Sequence, residues 1–82
     1  MDDNERIKLL KAIQDIDNKI NNYDRTSAIE LIKKVRLEHP GKEQIAYIVS
    51  NVPLDFANDD MIINTLKAEK HRLLLKITLG GK

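Results

Sequence analysis

Residues 58–81, NDDMIINTLKAEKHRLLLKITLGG, decide how the rest of the chain is read. The stretch opens on Asn58 followed by Asp59 and Asp60 and closes on Gly80 and Gly81. An asparagine ahead of two acids starts a helix well: its side chain accepts an orphan backbone N–H, and the acids complement the positive end of the dipole. Glycine just past the last apolar residue is the matching stop. Between these signals lie Ile62, Ile63, Leu66, Leu73, Leu74 and Ile77. The spacing predicts one long helix from Asn58 to Leu79, able to run the length of a small domain. Residues 72–79 also carry enough β-propensity to be read as a strand.

Working back toward the N-terminus, Leu9, Ile13, Ile16, Ile20 and Tyr23 repeat at four, three, four and three residues. That is the seam of a coiled-coil-like helix, expected over Asp3 to Asn21. Ile7, Leu10 and Ala12 widen its apolar stripe. Asp2, Asp3 and Glu5 suit the dipole at its start, and Asn21 and Asn22 end it.

A second helix is expected from Thr26 to Glu38, capped by Asp24 or Thr26, with Ala28, Ile29, Leu31, Ile32 and Val35 buried. His39-Pro40-Gly41 breaks it, since proline disfavours a helical predecessor and glycine permits the turn. Lys42 to Asn51 is a further helix candidate through Ile45, Ile48, Val49 and Val52. Its β-branched residues leave a strand over 45–52 open. Leu54 and Phe56 are expected to lie over the core, with Phe56 as a plug.

The architecture that follows is all-α: one helical domain over residues 1–82, an antiparallel bundle of four helices, two long and two short. Short connections favour antiparallel neighbours. At 82 residues the chain is near the lower limit for building its own core, burying roughly 60–65% of its unfolded surface. With no cysteine, neither a disulfide nor a thiolate can help, so stability must come from helix packing or a partner subunit. The N-terminus is acidic where a secretory leader would be basic. The longest apolar runs are far short of a membrane span. The expected location is the cytoplasm, with no membrane partner. Richness in Asn, Ile, Lys and Asp has the character of an AT-rich coding sequence, as in low-GC bacteria and their phages.

The residues carry no catalytic constellation, cofactor motif or metal-ligand spacing. His39 and His71 are the only histidines, and neither has a ligand neighbour at helical spacing. The Asp15/Asp17 and Asp59/Asp60 pairs do not share a helix face, so neither makes an acid–base couple. Ser27 and Ser50 lack a glycine-flanked elbow, and three glycines are too few for a phosphate-cradling loop. The expectation is a non-enzyme without cofactor or metal.

Two features point outward. Lys70 falls inside the Ile63–Leu66–Leu73–Ile77 stripe. It either lays its methylenes on that face with the ammonium in water, or sets the register of an association. Leu75, Leu79 and Met61 point away from the main face of that helix, and such surplus suggests a subunit contact. The favoured expectation is a regulatory protein–protein interaction module, with Lys70, Leu74, Leu75 and Leu79 as its contact and a homodimer as its state. A rival is a small DNA-binding regulator with a helix-turn-helix-like pair over 26–51. Net charge is only +1, but residues 61–82 hold five bases against one acid. Lys67, Arg72, Lys76 and Lys82 would track phosphates. An immunity or self-protection factor is a third expectation, on size and composition alone.

Overall fold

A computed structural model describes residues 2–40 and 54–80. The described residues are all-helical, with three α-helices and no strand: α1 (Asp3–Asn21), α2 (Arg25–Glu38) and α3 (Asp59–Gly80), and a 3-10 turn at Leu54–Phe56 ahead of α3. The helix candidate at Lys42–Asn51 lies outside the described residues, as does the second half of the 26–51 pair. Residues 72–79, open to a strand reading, are helix.

Each helix starts where a short polar side chain can hold a free N–H. Asp2 Oδ1 accepts from the Glu5 amide at 2.8 Å. Asp24 Oδ2 accepts from the Ser27 amide at 3.0 Å, and Asn58 Oδ1 from the Met61 amide at 2.8 Å. The bonds span three residues, the geometry of an N-cap. Asp24 supplies the cap of α2, and Thr26 lies one residue inside that helix.

Two sets of contacts fix the directions. Tyr23 and Arg25, at the turn between α1 and α2, reach Asp59 at the start of α3. Arg72 and Lys76, near the end of α3, reach the carbonyls of His39 and Pro40 just past α2. The second and third helices therefore run parallel, and α1 runs antiparallel to both. α3 packs on α1 and α2 alike and is the centre of the fold.

The core is a single cluster. Leu9, Ile13 and Ile16 come from α1, Ala28, Ile32 and Val35 from α2, and Ile62, Leu66 and Leu73 from α3, with Ala57 closing the top. Ile20, Tyr23, Ile29 and Leu31 pack at its edge. At roughly 25 cal/mol per Å², burying each large aliphatic chain contributes about 1.5–3 kcal/mol before chain entropy is set against it.

The sequence-based core needs three corrections. Phe56 is 81% exposed and plugs nothing: the 3-10 turn points its ring outward, and Ala57 fills the space. Ile7 and Leu10 stand on the surface, 61% and 50% exposed, because the stripe of α1 is as narrow as its Leu9–Ile13–Ile16 seam. The seam of α3 is Ile62–Leu66–Glu69–Leu73, one residue off the expected Ile63–Leu66–Lys70–Leu73–Ile77 line. Its polar member is an acid, not a lysine.

Candidate interaction surface

Glu69 is 0% and Arg72 2% exposed, two charged side chains inside a helical core. They are stable there because each is paired. Arg72 donates from Nη2 to Glu69 Oε1 at 2.8 Å and from Nε to the same oxygen at 3.2 Å. Arg36 of α2 donates from Nε to the other carboxylate oxygen at 3.0 Å. The Nη1 of Arg72 donates to the His39 carbonyl. One carboxylate thus accepts from two guanidiniums on two helices, and one guanidinium also closes the free end of α2. Charge-assisted bonds of this kind are the strong ones, and a buried ion is tolerable only with such partners.

Lys76 adds a second closure of α2, donating to the Pro40 carbonyl at 2.6 Å. The last carbonyls of a helix have no partner within it, and cations suit that negative end. The half-buried His39 beside them has its imidazole pushed below the ordinary value. Burial is the main cause, opposed by the Glu38 carboxylate and reinforced by the Lys76 and Arg72 charges.

At the opposite end, Tyr23 Oη donates to Asp59 Oδ1 at 2.7 Å. Partial burial, with that bond, raises the phenol. Arg25 Nη1 approaches the same oxygen at 3.4 Å, its Nη2 donates to the Asp55 carbonyl at 3.1 Å, and Lys33 lies 3.7 Å from the Asp55 carboxylate. These exposed pairs orient the approach to α3 and add little stability each.

The residues expected to face a partner fall into two groups. Lys70 is half-buried on the α1 flank and bound to Asp17 at 2.7 Å. Its ammonium therefore closes the α1–α3 seam from outside. Leu74, Leu75 and Leu79 are exposed along the last two turns of α3. Of the four bases expected to track phosphates, Arg72 is buried and bound, and Lys76 is bound to a carbonyl. Lys67 is exposed, and Lys82 lies outside the described residues.

A groove of about 440 Å³ runs between α1 and α2 over Ala12, Leu31 and Val35. Lys8, Lys11 and Lys34 line it together with Asp15 and Glu38, so its charges nearly offset. Among the described residues no hydrogen bond or ion pair joins these side chains. No group of three or more metal-ligating side chains occurs among the described residues. No helix there is long and apolar enough to cross a membrane.

The Glu69 cluster was invisible as such in the sequence. Its signal was present all the same: Arg36, Glu69 and Arg72 are the charges that fall on the inner faces once the helices are aligned by their caps. No protein-family model, curated protein or solved structure matches the chain.

Proposed function

We propose that the chain is a non-enzymatic regulatory module that acts by presenting its helical surface to a protein partner, a second copy included. The observation that carries this reading is the exposure of Leu74, Leu75 and Leu79 on a helix whose inner charges are already satisfied. Clustered exposed leucines on a small chain mark an association surface. Lys70 belongs to the rim of that surface, its charge held in place by Asp17.

The DNA-regulator reading stands second. Its phosphate contacts on α3 reduce to Lys67, because Arg72 and Lys76 are committed within the fold. Among the described residues that single lysine supplies about one released counterion, a shallow salt dependence for a duplex binder.

A photo-cross-linking residue placed at position 75 or 79 in cells tests the interaction reading. Discrete protein adducts are expected there and none from the same residue at Asn18, whose helix neighbours Gln14, Asp15, Asn21 and Asn22 are polar. Absence of any adduct from positions 75 and 79, with the protein folded, overturns it.

A further inference from the structure

Helix α2 is held to the rest of the fold differently from the other two. Its inward side chains are Ala28, Ile32 and Val35, smaller than the Leu9–Ile13–Ile16 set of α1 or the Ile62–Leu66–Leu73 set of α3. Charge makes up for the smaller apolar burial. Arg36, near the end of α2, reaches Glu69, and the His39 and Pro40 carbonyls just past that end accept from Arg72 and Lys76. At its start Arg25 reaches Asp59 and the Asp55 carbonyl, and farther along Lys33 lies beside the Asp55 carboxylate. All of these contacts run to α3 or to the turn ahead of it. The α1–α3 contact is of the other kind, two sets of three large aliphatic chains with the Lys70–Asp17 pair on its flank.

Glu69 and Arg72 are the buried charged side chains among the described residues, and both belong to α3. α2 contributes to their cover: Arg36 bonds the one and the His39 carbonyl the other. When α2 moves off, the pair within α3 stays joined and both ions regain water. The desolvation incurred on closing is therefore recovered on opening, which an apolar contact of the α1–α3 kind does not offer. Local opening follows the cooperative unit with the least buried apolar contact.

We propose that α2 is a releasable strap, which leaves the α1–α3 pair as a unit while that pair stays helical. Release uncovers the α2 side of the inner face of α3, where Glu69 and Arg72 share the helix with Leu66 and Leu73. That surface of mixed apolar and ionic character is hidden in the closed form. The device operates whether or not the leucines at the end of α3 meet a partner.

Hydrogen exchange of the full chain, followed amide by amide at several urea concentrations below the unfolding transition, tests this. After correction for intrinsic rates, the Ile32–Val35 amides should exchange at least about tenfold faster than those of Ile13–Ile16 and Leu66–Glu69. Their dependence on urea should also be shallower, because a smaller surface opens. Ile77→Ala adds an independent arm. Ile77 packs against the core seven residues on from Lys70, on the flank that faces α1. The variant should speed exchange in α1 and α3 and leave the Ile32–Val35 rates unchanged, since opening α2 does not break that contact. One rate and one urea slope shared by α1, α2 and α3 would overturn the strap. So would Ile32–Val35 rates that rise with the others in Ile77→Ala. If Ile77→Ala fails to fold, the wild-type rates and slopes decide.

Discussion

Removing the Glu69 carboxylate should be the most damaging single change to a polar residue in this chain. The carboxylate is fully buried and receives two bonds from Arg72 and one from Arg36. Glu69→Ala takes the carboxylate from Arg72, 2% exposed, and leaves its charge inside the core. Breaking a buried pair by deleting one partner costs about 3–5 kcal/mol, because the surviving charge stays desolvated. A chain of this length has total stability of roughly 4–12 kcal/mol. Glu69→Ala should therefore lower the midpoint by at least about 12 °C, at 4–8 °C per kcal/mol, or unfold the chain at room temperature. The pair itself is expected to add little over an apolar substitute. Glu69→Leu with Arg72→Met fills the same space without a charge to desolvate, and such exchanges are neutral or stabilising by about 1–4 kcal/mol. Arg36, partly open to solvent, can turn to water in that variant. The assay is a thermal and urea unfolding cycle over wild type, both single variants and the double, followed by far-UV circular dichroism. A loss below about 1 kcal/mol in Glu69→Ala would place the carboxylate in water and refute the reasoning. A double variant as unstable as the two singles combined would refute the claim that the cost lies in a buried charge deprived of its counter-ion.

Stability should fall as pH drops below the ordinary imidazole value of about 6.5. The folded state holds His39 below that value, so the unfolded chain takes up its proton first. The contribution is complete above about pH 6.5 and is lost progressively as pH falls toward the folded value. His39→Gln should flatten that part of a urea-midpoint profile between about pH 7.5 and 5.5, and an unchanged slope would count against the mechanism. Asn58→Ala removes the side-chain acceptor of the Met61 amide and should cost about 1 kcal/mol in urea unfolding, with Asn58→Gly nearly silent. Lys70→Ala breaks an exposed pair with Asp17 and should cost no more than about 1 kcal/mol, shrinking as salt is added. Phe56→Ser should change stability by less than about 0.5 kcal/mol, since an exposed ring in a turn has no core contact to lose.

Helix positions were legible because the chain punctuates them chemically. Asn58 before two acids, Asp24 before Arg25 and Asp2 before Asp3 each place a short acceptor where an amide needs one, and each bond is present. The facing of α3 was not legible, for a physical reason. Ile62 and Ile63 are adjacent, and so are Leu73, Leu74 and Leu75. Two seams one residue apart therefore fit the apolar residues almost equally. A seam holding Lys70 at its edge looks cheaper than one holding Glu69 at its centre, until Arg36 and Arg72 are known to surround that position. Partners from another helix carry no signature in local periodicity. The same limit misread α1, where Ile7 and Leu10 were counted as core because nothing in their own helix says how wide the facing surface is.

The one-residue shift in that seam explains core and surface together. With Glu69 inside, Arg72 is drawn in after it and Lys76 follows to the end of α2, so the cations of the inner faces are consumed within the fold. Lys70 moves to the flank, where Asp17 neutralises it. Leu74, which a Lys70-centred seam would hold nearer the core, is carried outward to the surface. The buried charges thus align α2 with α3 while three leucines of α3 stand exposed. The one-residue shift carries a linked prediction. Glu69→Leu with Arg72→Met should keep the fold but lose the device that distinguishes the two seams. The adjacent leucines Leu73 and Leu74 would then compete for the core. The expected signature is a change in the solvent exposure of position 74, read by thiol labelling of Leu74→Cys in both backgrounds, at equal or higher thermal stability. Labelling at position 74 equally fast in both backgrounds would show that the seam is fixed by apolar packing alone, and that the buried charges do not shape the surface.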